Sequence, residues 1–498
     1  MPRRPDGVRY LLASVVTGAA GLASGAALAT TSASADIGVS AVYANNFALA
    51  ASGQQSESGS VLDLNPVLQV SHDSAHLKGE LNYLLHSFKY LDNGDFDTTY
   101  HDGDASLTWL AIPEWFDLSG DLGYHQRIVD PKRAATSDRL FNTGNLADAA
   151  SASVTPELRH LFGELELDAR YSYAWVNYKQ NASEFAGSVD PQALDNSRNQ
   201  TTHVSLGTRP EEEWSRFSWS TVYDNEKTDY DLALPYEYER ASVLTAFGLN
   251  PGLSLLAEGG LESDLVKSTI DGGLDTGFWR AGFRYAPSPK TTLQIMGGHR
   301  FFGDTYFFRL HHVRKVLDLS LSYSEEPTTE GRQILRRTGP EGTLTPPPPG
   351  IDITRSTSAP FINKEFEATA RLNGRLTSIY VRATSDERQY LTALNESDSV
   401  RAIAAGVERR IGPKMTLVIG GDGSRTRFHD GSSGTEKQFS AILRRQMTRT
   451  FRAMLVGRHI ERTGTGVDNY KAWSVSLELR KSFGRAGALQ NYADPLQP

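Results

Sequence analysis

The chain of 498 residues contains no cysteine, so no disulfide framework holds it. No run of about 18 apolar residues follows Asp36, and no apolar helix long enough to cross a membrane is therefore expected there. Stretches with a 3.6-residue period and caps are missing as well. The net charge of −8 argues against nucleic acid as a partner. The length would allow roughly two or three domains, yet no break in composition divides the chain.

The first residues carry Arg3, Arg4 and Arg9, followed by an Ala/Leu/Val/Gly stretch. Ala33 and Ala35 offer an A-x-A cleavage site before Asp36, and Ala27 and Ala29 an earlier one. The expectation is a signal peptide over 1–35 and export.

Beyond it, alternation dominates. In "GELELDARYSYAW", Leu165, Leu167, Ala169, Tyr171, Tyr173 and Trp175 fall on one face of a strand. Glu164, Glu166, Asp168, Arg170 and Ser172 fall on the other. An apolar face ending in a run of Tyr and Trp suits a lipid headgroup boundary better than a soluble half-buried sheet. The same alternation recurs in "VLDLNPVLQV", "FDLSGDLGYHQ", "GFWRAGFRYAP" and "AWSVSLELRKSF". Mean hydropathy is low at −0.40 although each strand keeps an apolar face. A barrel with a wet lumen reconciles the two, and a secreted β-sandwich or propeller does not.

Short proline-bearing turns alternate with long polar connectors at 48–60, 91–99, 127–147, 179–198, 225–235, 265–275, 325–363, 388–397 and 426–435. This asymmetry is that of outer-membrane barrels, with turns in the periplasm and loops outside. The expectation is an all-β chain forming a transmembrane antiparallel outer-membrane barrel of about 22 strands, within 18 to 24, and no plug domain. It would span 36–483, with a periplasmic tail over 484–498. The last run, ending at Phe483, looks like the final strand read by the barrel-assembly machinery.

Charges divide along the sequence. Lumen-side positions in the first third are mainly acidic and include Glu164, Glu166 and Asp168. From the middle onward they are mainly basic: Arg280, Arg284, Arg300, Arg309, then Arg371, Arg382, Arg401, Arg444, Arg452 and Arg458. Two facing walls of opposite sign would set a transverse field across a pore. Alternatively the walls pair and fill the lumen. Catalytic motifs are weak: the adjacent His311 and His312 point to opposite faces of a strand and cannot share a metal. "DNGDFDTTYHDGD" (Asp92 to Asp104) is acidic but lacks EF-hand spacing, so a solvated loop is the plainer reading. Neither a resident metal nor a cofactor is expected. Pro346 to Pro349 should form a stiff polyproline segment, either a lid over the mouth or a spacer.

From Gly277 to Glu326 runs "GFWRAGFRYAPSPKTTLQIMGGHRFFGDTYFFRLHHVRKVLDLSLSYSEE". It holds a W-x-A-G-x-x-Y-x-P-S-P-x-T strand pair, then G-x-R-x-F-G, then S-Y-S-E. The block resembles the outer-membrane β-barrel family associated with PEP-CTERM and exosortase loci, as do "YANNF" (Tyr43 to Phe47) and "LNPVL" (Leu64 to Leu68). The resemblance implies a role in exopolysaccharide secretion, with polysaccharide or periplasmic export components as partners, and transfers no functional residues. Three functions stay open: a conduit for glycan or other polar solutes, a docking barrel, and a membrane-embedded glycan- or lipid-modifying enzyme. The last lacks a rim constellation to carry it, so a non-enzyme is expected.

Overall fold

The computed structural model describes residues 30–134, 140–141, 145–179, 195–208, 216–265, 273–338, 359–391 and 396–484. The first strands are β1 (Thr30–Ala44), β2 (Gly59–Asp73), β3 (Leu77–Tyr90), β4 (Thr98–Ile112), β5 (Phe116–Ile128), β6 (Leu146–Phe162) and β7 (Leu165–Lys179). Next come β8 (Ser197–Thr208), β9 (Phe217–Tyr230), β10 (Tyr236–Asn250), β11 (Leu253–Glu262), β12 (Thr276–Ser288), β13 (Thr291–Arg300), β14 (Gly303–Val313) and β15 (Leu317–Thr328). A helix, α1 (Glu330–Thr338), follows β15. The rest are β16 (Phe361–Asn373), β17 (Thr377–Tyr390), β18 (Ser397–Gly412), β19 (Met415–Arg427), β20 (Ser433–Gln446), β21 (Phe451–Thr465) and β22 (Tyr470–Gly484).

Each strand pairs antiparallel with the next, and β22 returns to β1 with Ser474–Gly484 against Ser34–Ala44. Closure leaves no free sheet edge, which is what a strand in lipid requires. Both ends of the described chain, Thr30 and Gly484, lie at the short-turn end, while the connectors read as long from the sequence all lie at the other.

Outward positions carry the exposed apolar side chains, and their aromatics fall into two rings. Near the short turns lie Trp109, Trp115, Phe162, Tyr285 and Phe483; near the long loops lie Tyr43, Trp175, Trp279, Tyr306, Phe439 and Trp473. Two aromatic girdles bracketing an apolar belt are the mark of a lipid-facing barrel. Leu477 lies midway between Trp473 and Phe483 on β22. Its replacement by arginine should cost roughly 2–4 kcal/mol, whereas Leu167→Arg, close to the start of β7, should cost only about 0–1. Heat-modifiable mobility in detergent measures the difference, and equal losses would mean the belt is misplaced.

The lumen is not empty, and here the expectation of an all-β barrel with no plug is corrected. The helix α1 leaves β15 yet packs against β5, β6, β7 and β8. Since β5 stands ten strands from β15 in a ring of 22, the helix lies across the barrel. Its Arg332 meets Glu226 of β9, and its Gln333 accepts a hydrogen bond from Arg388 of β17 at 2.9 Å. Barrels of about this size in outer-membrane transporters have a plugged lumen.

Loops close the mouth further. Phe47 and Leu49 of the β1–β2 connection and Leu140 and Phe141 of the β5–β6 connection form one apolar cluster with Val42, Tyr90, Ile460 and Tyr470. The β5–β6 connection also reaches across to the β19–β20 and β21–β22 turns. Lys132 pairs with Asp430 at 2.6 Å, Arg462 donates to the carbonyls of Pro131 and Arg133, and Asp468 accepts from the Ala134 amide. Hydrogen bonds from Lys132 and Ser432 hold the Asp430 carboxyl well below the usual carboxylate range. Pro346 to Pro349 lie outside the described residues.

Candidate functional site

The block Gly277–Glu326 builds β12 to β15, and its Arg280, Arg300 and Glu326 converge at the loop end of the lumen wall. Arg300, the last residue of β13, is fully buried, as is its partner Glu262 of β11. All five guanidinium N–H groups are satisfied. Nε and Nη2 donate to Glu262 at 3.1 and 2.8 Å, Nη2 also donates to Tyr238 Oη at 2.8 Å, and Nη1 donates to Glu326 at 2.9 Å and to the Glu325 carbonyl at 3.2 Å. Phe302 and Phe278 place their rings 5.0 and 5.9 Å from the guanidinium carbon. A buried cation held this way is fixed in place.

The charges continue along the wall. Glu326 lies 3.8 Å from Arg280, which is paired with Glu258 at 2.6 Å. Arg240 meets Asp224 at 2.8 Å, and Asp224 meets His203 at 2.7 Å. Two inward glycines make room: a Cβ on Gly260 would come within 2.0 Å of the Ala241 carbonyl, and one on Gly298, opposite Arg280, within 1.9 Å of the Trp279 carbonyl. Next to this bundle is a cavity of about 980 Å³. Its walls come from β6 to β10, with Thr201, His203, Ser220 and Asn225 among them, and Arg332 and Leu335 of α1 close it. Hydroxyls, amides and already paired ions lie along it beside apolar groups, and can hydrogen-bond a solute.

The structure separates the residues singled out from the sequence. Arg280 and Arg300 belong to the bundle. Arg284 and Arg309 are exposed near the short turns, Arg309 with its guanidinium carbon 5.4 Å from the Phe307 ring centre. Glu164 sits in the β6–β7 turn, and Glu166 and Asp168 line the lumen side of β7 close to it, with Asp168 3.7 Å from Arg159 and 3.9 Å from Arg170. Strands β7 and β12 are five apart in the ring, so Asp168 and Arg280 do not form diametrically opposed walls; opposite charges meet within each wall instead. Arg401 alternates with the buried Val400 and Ala402 and faces outward, not into the lumen.

Sequence reasoning missed Tyr238, Glu258, Glu262, Glu226 and Arg332. The pairing of Glu258 with Arg280 depends on register across a long loop, which no count along the chain gives. Asp102 and Asp104, from the acidic stretch, lie on β4 with His125 of β5 between them at 3.0 and 2.9 Å. Among the described residues these three are close enough to share a cation. Both ring nitrogens already meet a carboxylate, an arrangement complete in itself.

The two N-terminal motifs are seam fittings. Asn45 Oδ1 accepts from the Trp473 amide at 2.7 Å, and Asn46 bonds Ala50 and the Lys471 carbonyl, tying "YANNF" to β22. In "LNPVL", Asn65 accepts from Arg480 of β22 at 2.5 Å, while the β2–β3 ladder skips from Leu64 to Val67 around Pro66.

No protein-family model matches the chain, and no curated protein does. Solved structures match over nearly its whole length. A mutant of the ferric enterobactin receptor PfeA from Pseudomonas aeruginosa, in complex with enterobactin, covers 92% of this chain and 82% of its own, with a TM-score of 0.51 at 10% identity. The siderophore receptor PirA from Acinetobacter baumannii covers 92% and 81% at 9% identity, with a TM-score of 0.48. The FrpB iron transporter from Neisseria meningitidis covers 90% and 81% at 11% identity, with a TM-score of 0.42. The chain is a large outer-membrane-type β-barrel. At this identity the likeness shows the fold alone.

Proposed function

We propose that this barrel sits in the outer membrane and is a gated, non-catalytic conduit for polar solutes, held shut by α1. The observation that carries the reading is the cavity inside the wall, closed by a helix that lies across the lumen. The resemblance to exosortase-associated barrels supports an exopolysaccharide as cargo and periplasmic export components as partners. The aromatic-ended β22 supports insertion by the barrel-assembly machinery.

The test is planar-bilayer conductance and oligosaccharide-driven liposome swelling. Wild-type protein should pass little, and the Glu226→Ala/Arg332→Ala variant should pass severalfold more. Closure by the mouth loops favours a second reading, a docking barrel that anchors an envelope assembly. That reading takes over if neither protein conducts.

The strand β1 adds a prediction about processing. Thr30–Ala35 pair in full register with Leu68–Asp73, so a cut before Asp36 would strip six paired residues from the closing strand. Cleavage after Ala29 keeps them. Intact-mass measurement of protein from outer membranes should give Thr30 as the first residue, and a mass beginning at Asp36 would sink the prediction.

A further inference from the structure

The outward face of β18 to β20 carries four exposed cations close together. Arg401, Arg425, Arg427 and Lys437 alternate with buried neighbours on three adjacent strands and are all exposed. Arg401 and Arg425 are direct cross-strand partners. Like charges placed this way destabilise a sheet unless something between them neutralises the repulsion. Among the described residues Arg401, Arg425 and Arg427 make no ion pair, and Lys437 makes none within 4 Å although Glu461 is its cross-strand partner. Below them the outward positions turn apolar at once: Ile403 on β18, Ile419 on β19 and Phe439 on β20 are exposed.

Depth places the patch at the membrane boundary. Phe439 pairs with His459, and His459 with Trp473, so Phe439 belongs to the loop-end girdle. Lys437 stands one outward position above it. On β20 a second outward cation, Arg445, lies eight residues on at the short-turn end, with Phe439, Ala441 and Leu443 between. Eight residues of a tilted strand span about 20 Å of membrane normal, close to the height of the apolar band. Beneath the cations Gly421 and Gly423 leave the outward face of β19 without side chains, and the Phe439 ring lies against Gly421. The surface is a shallow bay floored by backbone, rimmed above by four cations and below by apolar groups.

We propose that this bay binds a lipid of the outer leaflet through phosphate on its headgroup, the acyl chains lying against Ile403, Ile419 and Phe439. Phosphate answers both features: its oxygens accept bidentate bonds from Arg401 and Arg425 together, and its charge removes their repulsion. The apolar positions directly below the cations, Ile403 after Arg401 and Phe439 after Lys437, suit a ligand with acyl chains rather than a soluble acidic protein. The proposal rests on the reading that the long-loop end faces outward in an outer membrane.

The thermal midpoint of heat-modifiable mobility tests it in phosphatidylcholine vesicles, in vesicles containing lipid A as a bisphosphorylated probe, and with inorganic phosphate added to the first. Wild type should gain several degrees with lipid A and little with inorganic phosphate. The Arg401→Gln/Arg425→Gln/Lys437→Gln variant should lose most of that gain, while Arg409→Gln/Arg445→Gln, at the opposite girdle, should keep it. Arg425→Gln alone covers failure of the triple variant to fold. It should raise the midpoint in phosphatidylcholine, because repulsion is relieved, and lower the gain with lipid A. A gain unchanged in these variants, or matched by inorganic phosphate, overturns the proposal. The midpoint is independent of conductance, so this result stands apart from whether the barrel is a conduit.

Discussion

Replacing Arg300 by methionine should cost the barrel about 3–5 kcal/mol, because it strands Glu262, a carboxylate with no access to water. Glu262 loses three of the bonds that satisfy it, and Glu326 loses its nearest cation. Tyr238 also loses a donor to its hydroxyl. Most of the penalty is the desolvation of Glu262 rather than lost attraction. The second variant follows from that. Arg300→Met combined with Glu262→Gln removes both members of the innermost pair and should recover a large part of the loss. Denaturant midpoints of refolded protein in detergent read both values. A single-variant cost below about 1 kcal/mol would show that water reaches the bundle, and the site would then be an ordinary surface network.

The lipid side of this molecule is legible in its sequence, and the lumen side much less so. Alternation of Leu167, Tyr171, Tyr173 and Trp175 with Glu166, Asp168 and Arg170 assigns faces without any knowledge of neighbours, because the two-residue period is a property of one strand. Turn and loop lengths likewise orient the barrel. Pairing inside the lumen obeys a different rule. Arg280 finds Glu258, and Arg300 finds Glu262, through registers set across loops of more than a dozen residues. Sorting charges by sequence order therefore gave two walls, where geometry gives pairs within a wall. The helix α1 was missed for a related reason. "EGRQILRRT" is short and strongly basic, and Thr329 before it, whose Oγ1 accepts from the Arg332 amide at 3.4 Å, is a cap too common in loops to announce a helix by itself. It is held by what it meets in the lumen, and a nine-residue segment has little helical stability of its own.

A chain without cysteine offers a clean way to ask whether that helix is the gate. Gly331 at the start of α1 lies so close to β8 that a Cβ there would sit 2.7 Å from Ser197 Oγ. Gly331→Cys with Ser197→Cys therefore puts two sulfurs within reach of a disulfide, with no native thiol to compete. The link fastens the helix to the wall beside the cavity, where Arg332 already meets Glu226. In the background that frees α1, Glu226→Ala/Arg332→Ala, the reduced quadruple variant should conduct freely. Oxidation should return it to the low conductance of the wild type, and a reductant should restore the current on the same membrane. The switch isolates α1 from the mouth loops, since the β5–β6 strap over Asp430 and Asp468 is untouched by either state. If the oxidised and reduced forms conduct equally well, α1 does not bar the path. The narrowing would then belong to the mouth, where Lys132→Ala/Asp430→Ala should open what the helix does not.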